Sequence, residues 1–248
     1  MENTLVKLLG WRGTIFRGDT FVYDRWKWLT HKIAHGPVRT LDAGCGSGCF
    51  SFYASSCGNE VVGVDFEGPK LAAAKSRGKA LEFPRLSFKA CDLRELHTIA
   101  SDLGLFDQVF SFDVIEHVMD DEKLIGNMAS LLKPGGRLIL TTPYKNHHPL
   151  LGDQLSTHED GGHVRWGYTF EEMEALFKAH GLRIVDKDYI SGYLSRTVTN
   201  LMRVAGRLNH HMAWGVTFPL RALQAIDVPF TRMVHYPFCG IAVVAVKE

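Results

Sequence analysis

The chain has 248 residues, 46% of them hydrophobic and 22% charged, with a formal charge of +1. That length and composition suit one soluble domain with a substantial core. The near-zero charge excludes a global field that would steer it to nucleic acid, and no basic stripe with interleaved aromatics supplies one. Five cysteines (Cys45, Cys49, Cys57, Cys91 and Cys239) form no CxxC pair, which excludes a zinc ribbon or disulfide framework and predicts reduced thiols. The first residues lack a basic stretch followed by an apolar core, and no apolar run is long enough to span a bilayer, so the expectation is a cytoplasmic protein.

Residues 1–36 are rich in aromatics: Trp11, Phe16, Phe21, Tyr23, Trp26 and Trp28. Apolar residues from Phe21 to Ile33 fall at helical spacing behind Asp19 or Thr20 as N-cap, predicting a helix on the edge of the core. Val38 to Leu41 reads as the end of a buried strand. Leu41-Asp42-Ala43-Gly44-Cys45-Gly46-Ser47-Gly48-Cys49 follows, and Phe50 to Ser56 reads as a helix. Glycines at alternate positions let the backbone turn sharply and approach a ligand where a Cβ would collide. The helix N-terminus would turn its N–H groups toward that ligand. Cys49 stands where a dinucleotide fingerprint has its third glycine, and Asp42 precedes the turn. A pyrophosphate disfavours a neighbouring carboxylate, whereas a cationic ligand wants one.

Glu60-Val61-Val62-Gly63-Val64-Asp65 is an apolar run of the kind buried in parallel sheets. Asp65 stands roughly 20 residues beyond Gly44, the offset at which an acid meets ribose hydroxyls. Gly68-Pro69 opens a helix to about Lys79, and Leu86–Ala90 is a third strand running into Cys91-Asp92-Leu93. Phe106–Phe112 is a fourth strand, with the tail Asp113-Val114-Ile115-Glu116-His117-Val118. A helix over 120–132, the turn Lys133-Pro134-Gly135-Gly136 and a fifth strand, Arg137–Thr142, come next.

Asp42 with GxGxG, the acids Asp65 and Asp92 at successive strand ends, and Lys-Pro-Gly-Gly before a strand together resemble the class I S-adenosylmethionine (SAM)-dependent methyltransferases. The resemblance covers about Val38 to Leu182. It implies a Rossmann-like, doubly wound α/β fold whose seven-stranded sheet has an antiparallel last strand, with SAM as cofactor. It places the methionine part on Asp42 and the backbone of Gly44, Gly46 and Gly48, the ribose on Asp65, and the adenine on Phe66, Asp92 and Leu93. Asp113 completes the expected cofactor set, and the N-terminal helix would act as a lid. Quinone-biosynthesis O-methyltransferases have Glu-x-x-Glu-His where this chain has Asp113, Glu116 and His117. They bind a divalent metal there, whereas the Asp113 substitution leads to an expectation of no metal site. A metal-assisted variant would use Glu116, His117 and either His158 or His163.

Residues 145–168 read as a loop dense in titratable groups: His147, His148, Asp153, His158, Glu159, Asp160, His163 and Arg165. A loop of that length is usually functional, here a wall for the acceptor. Gly161-Gly162-His163-Val164-Arg165 resembles the Gly-His-Val-Arg stretch of the same small-molecule enzymes, which makes His163 the first candidate for a general base and His117 the second. Thr169-Phe170-Glu171-Glu172 is a capping box that starts a helix ended by Gly181. Leu182–Ile190 is the sixth strand and Phe238–Val246 the last.

Residues 192–232 form a helical insertion, broken by Pro219 and Pro229, with Val216, Leu220, Leu223 and Ile226 on one face. Arg196, Arg203, Arg207, Arg221 and Arg232 stand there against Asp227. One reading is a helical cap whose arginines are solvated. The other is a basic amphipathic surface for peripheral contact with anionic lipid or a lipid-linked substrate. The chain therefore divides into a lid (1–36), a cofactor-binding core (37–191), the insertion (192–232) and the last strand (233–248). The predicted activity is methyl transfer from SAM to a small-molecule acceptor, most readily to oxygen, on a lipid-like or quinone-like substrate in the metal-assisted variant. The competing readings are an NAD-dependent oxidoreductase and a non-catalytic SAM-binding module.

Overall fold

The structure, a computed structural model, describes residue 6 and residues 8–147 and 154–248, so His148 and Asp153 lie outside the described residues. Seven strands form one sheet: β1 Arg39–Ala43, β2 Glu60–Asp65, β3 Leu86–Ala90, β4 Phe106–Phe112, β5 Leu132–Pro143, β6 Leu182–Ile190 and β7 Gly240–Lys247. Their order is β3-β2-β1-β4-β5-β7-β6. Strands β1 to β5 pair in parallel, and β7 runs antiparallel to β5 and β6. The expected doubly wound sheet with an antiparallel last strand is present.

The helices are α1 Arg12–Arg17, α2 Thr20–Leu29, α3 Cys49–Ser56, α4 Pro69–Leu81, α5 Ala100–Leu103, α6 Asp121–Ser130, α7 Phe170–Ala179, α8 Tyr193–Gly206, α9 His210–Thr217 and α10 Asp227–Met233. Alternation along a strand sends successive side chains to opposite faces. In β7, Ile241, Val243 and Ala245 join a core with α6 and α7. Ala242 and Val244 join a second core with α2 and α3 on the other face. Burial on both faces is why these strands are continuous apolar runs.

Several boundaries move for physical reasons. Strand β1 extends past Leu41 to Ala43, because Asp42 keeps its place in the ladder opposite Gly63 and Phe110. Strand β5 starts at Leu132, which pairs with Phe106 before a bulge restores register at Gln108 and Arg137, so Lys-Pro-Gly-Gly is absorbed rather than breaking the strand. Helix α2 ends at Leu29, short of Ile33, behind Asp19, whose side chain accepts from Val22 N. The capping box at Thr169 and Glu172 is fully formed. Pro229 falls in the first turn of α10, where proline is tolerated, instead of breaking the helix.

The insertion is fastened to the N-terminal segment. Thr20 Oγ1 donates to Ser195 O at 2.6 Å, Gln224 Nε2 donates to Asp24 Oδ1 at 2.6 Å, and Arg221 Nη1 donates to Phe16 O at 2.7 Å. The arginines of this segment are therefore not uniformly solvated: Arg221 is bonded to backbone, and Arg196 is 9% exposed. Among the described residues no helix is long and apolar enough to cross a membrane.

Candidate active site

Strand order reverses between β1 and β4, the switch point at whose carboxyl edge open α/β sheets bind ligands. The glycine turn lies there. Gly44 N and Cys45 N donate to Val64 O at 2.8 and 3.1 Å, folding the turn over the end of β2. Gly44 has φ +85°, and a Cβ on it would sit 2.3 Å from Val114 Cγ2, so the turn and the β4 tail meet only because no side chain intervenes. Gly46, at φ +52°, has nothing within 4 Å of its missing Cβ. Its N–H donates to Asp65 Oδ2 at 2.7 Å, and Phe66 N donates to Asp65 Oδ1 at 2.9 Å. Gly48 caps α3 in the left-handed region.

The expected cofactor residues thus divide. Asp65 stands half-buried beside Gly46, and Phe66 is 69% exposed. Asp92 is held by Arg94, whose Nε lies 2.9 Å from both carboxylate oxygens, and this arginine keeps Asp92 below the usual carboxylate range. The Leu93 side chain belongs to the core, so only its backbone can face a ligand. Asp42 is not brought to the surface: it is 2% exposed and accepts from Ser51 Oγ at 2.5 Å. Burial, with a smaller push from Asp65, raises its carboxyl to about 7. Asp113 lies on the other side of the switch point. With φ +52°, uncommon for a residue other than glycine, it accepts from Thr141 Oγ1 at 2.9 Å and ion-pairs with Arg25 of α2.

Asp113 and Arg25 line a cavity of about 170 Å³. Phe21 from α2, Thr142 from β5, His163 and Trp166 from the long loop, and Arg196, Asn200 and Arg203 from α8 complete much of its wall. Helix α2 therefore supplies Phe21 and Arg25 to the cavity wall as well as packing on the core. The loop is shaped by its own bonds: Val164 N donates to Glu116 O at 2.9 Å, and Arg165 Nη2 donates to Val118 O and Met119 O at 2.8 Å each.

The two catalytic candidates meet, with the His117 and His163 rings 4.7 Å apart, but only His163 lines the cavity. His117 Nδ1 lies 2.9 Å from Gly162 O. A carbonyl only accepts, so Nδ1 donates this hydrogen bond, and in the neutral ring Nε2 then holds the lone pair. Ligand atoms of Glu116, His117 and His163 lie within 4.8 Å of one another. His158 is exposed on Thr157 and outside this group. Glu116 is fully buried, and burial followed by the Asp113 charge pushes it well above the usual carboxylate range. Its Oε2 accepts from Thr142 Oγ1 at 3.3 Å, while Oε1 has no hydrogen-bond partner. Burial, followed by the Asp42 charge, pushes the Cys49 thiol up to about 12, which removes it as a nucleophile.

The family described as "Methyltransferase domain" matches residues 34–188. The chain belongs to the class I SAM-dependent methyltransferases. SAM is its cofactor, which sets aside the nicotinamide-dependent reading. The methyltransferase is 30% identical over 122 residues to the ubiquinone biosynthesis O-methyltransferase of Coxiella burnetii (strain RSA 493 / Nine Mile phase I), covering 49% of this chain and 50% of that one. It is 27% identical over 157 residues to the mitochondrial ubiquinone biosynthesis O-methyltransferase of Homo sapiens, covering 59% of this chain and 42% of the relative. It spans about half the length of the curated relatives it matches. Its fold resembles the [4+2]-cyclase SpnF, with TM-score 0.64 at 21% identity over 91% of this chain and 80% of that one. It also resembles the SAM-bound magnesium protoporphyrin IX methyltransferase of Synechocystis PCC 6803, with TM-score 0.54 at 18% identity over 90% and 76%.

Arg25 and the α8 side chains are the cavity residues that sequence reasoning placed elsewhere. Arg25 lay inside an amphipathic helix, and Arg196 and Arg203 were assigned to a face either solvated or turned to anionic lipid or a lipid-linked substrate; Arg203 is exposed as well as lining the cavity. Their spacing at i and i+7 on α8, with Asn200 between, marks one helical face.

Proposed function

We propose that this methyltransferase methylates a hydroxyl of a small-molecule acceptor bound in the cavity under α2, with His163 as the general base. The carrying observation is that His163 alone of the two candidate histidines reaches the cavity wall, at the carboxyl edge of β4 and β5. Likeness to ubiquinone biosynthesis O-methyltransferases supports oxygen as the methylated atom. SAM supplies a methyl already bonded to a cationic sulfur, so the chain's own tasks are alignment and exclusion of water. Asp65 would hold the ribose diol, the Gly44–Gly48 backbone the methionine part, and Phe66 with the Asp92–Leu93 backbone the adenine. His163 takes the hydroxyl proton as the oxygen attacks.

A second reading rests on the cluster of Glu116, His117 and His163. Two imidazoles and a carboxylate suit a divalent cation, and the unpartnered buried Glu116 Oε1 fits one. A cation would be held by these three and would polarise the acceptor oxygen as a Lewis acid. A histidine that ligates a cation does not also take the proton, so the readings exclude each other. Against an acceptor found by screening hydroxyl compounds with SAM, His163→Asn is expected to cost about 10²–10⁴-fold in kcat. S-adenosylhomocysteine affinity should be retained, and wild-type activity should survive chelation. Activity abolished by chelation and restored by a divalent ion would replace the base reading with the metal one.

A further inference from the structure

The α8 side of the cavity carries charge that the proposed chemistry does not use. Arg196, Asn200 and Arg203 stand at i, i+4 and i+7 of α8, one face of the helix, and all three line the cavity. Arg196 is 9% exposed and its Nε has no hydrogen-bond partner. Among the described residues no carboxylate lies within ion-pairing distance of Arg196 or Arg203. The other cavity charges are already engaged: Arg25 pairs with Asp113, and Asp19 caps α2 at Val22. Asp227, at the foot of α8, spends its oxygens on Gly192 N at 2.7 Å, Leu194 N at 2.8 Å and Thr231 Oγ1 at 3.1 Å. A guanidinium taken out of water without a counter-charge is costly and is retained where a ligand supplies the missing anion.

We infer that the acceptor carries a carboxylate or phosphate, held by the Arg196–Asn200–Arg203 face of α8 while its hydroxyl faces His163. This deepens the reading of a small-molecule methyltransferase and rests on it. The arginine fork matches either anion in two parallel hydrogen bonds. The cavity of about 170 Å³ compares with the ~150 Å³ void that takes up benzene in another protein, so the scale is one ring with its substituents. The lining favours the acceptor's anion over the donor's own carboxylate. No residue of the Gly44–Gly48 turn lines this cavity, whose far wall is instead Ser191, Cys239 and Gly240 at the β6 and β7 side of the sheet.

Benzoate, phenyl phosphate and neutral benzamide are titrated by calorimetry onto the full chain saturated with S-adenosylhomocysteine, with Trp166 fluorescence as a second readout. At least one anion should bind roughly tenfold or more tightly than benzamide, and which anion binds tighter identifies the acidic group. Arg196→Gln should erase that preference without changing S-adenosylhomocysteine affinity. Asn200→Asp, which sets a carboxylate on the same face, should erase it by repulsion with the arginines intact. Equal binding of benzamide, no binding of either anion, or an unchanged preference in both variants overturns the inference. Weaker S-adenosylhomocysteine binding in Arg196→Gln would assign Arg196 to the donor and also overturn it. Failure of wild type to bind S-adenosylhomocysteine at all would instead strike the underlying methyltransferase reading.

Discussion

Asp42 lies in the central strand with Ser51 as its partner, and burial followed by the nearby Asp65 charge raises its carboxyl to about 7. An unfolded aspartate titrates near ~3.9, so between those values the folded chain holds a proton that the unfolded chain has lost. The contribution of Asp42 therefore favours folding fully below the unfolded value and is lost as pH rises through about 7. Asp42→Asn keeps an acceptor for Ser51 Oγ but cannot titrate. Urea unfolding of both proteins from acid to neutral pH should show the variant gaining stability relative to wild type as pH rises, by up to about 4 kcal/mol. A difference that is flat with pH would mean that Asp42 stays charged in the folded state. This residue also marks a limit of sequence reading: an acid two positions before a glycine turn looks ligand-facing until β1 is seen to continue through it.

Helix α2 joins the two halves of the site. Trp28 Nε1 donates to Asp188 Oδ2 at 2.8 Å, fixing its C-terminal end to β6. Asp24 accepts from Ser191 Oγ at 2.8 Å, and Arg25 ion-pairs with Asp113. Asp113 is 27% exposed at the side chain and Arg25 13%, so the pair is only partly screened. Breaking it leaves a half-buried carboxylate uncompensated. Arg25→Met should therefore cost about 1–3 kcal/mol and speed hydrogen exchange of α2 amides, whereas Asp113→Asn added to it should recover much of the loss. A cycle of the two single variants and the double variant measures the coupling, and additive effects would show that the pair does not hold α2 down. Helix α2 was legible from its aromatic spacing and Asp19 cap. Its role over the cavity was not, because periodicity reports which face is buried and not which residue 88 positions away it touches.

At the scale of the molecule, the sheet was legible almost strand for strand, since strands covered on both faces must be apolar throughout and turn residues must separate them. The cavity was not, because its wall is assembled from α2, the ends of β4 and β5, the long loop and α8, and no local pattern encodes that meeting. The assembled charges show a polarity that the near-neutral total hides. Asp65 and Asp92 stand at the ends of β2 and β3, where a cationic donor is expected, while Arg196 and Arg203 line the cavity proposed for the acceptor. The proposed donor half rests on Asp65, whose carboxylate would offer two acceptors to a ribose diol. S-adenosylhomocysteine at 100 times its Kd should stabilise the wild-type fold by ~2.7 kcal/mol, which for a chain of this size raises Tm by about 5–10 °C. Asp65→Ala removes the diol's acceptors from the half-exposed end of β2 and leaves both cores untouched. It should therefore unfold near the wild-type temperature without ligand and lose most of the ligand-induced shift at the same concentration. A full shift in the variant would remove Asp65 from the cofactor site. A large fall in Tm without ligand would instead show that its bond to Gly46 N holds the glycine turn in place.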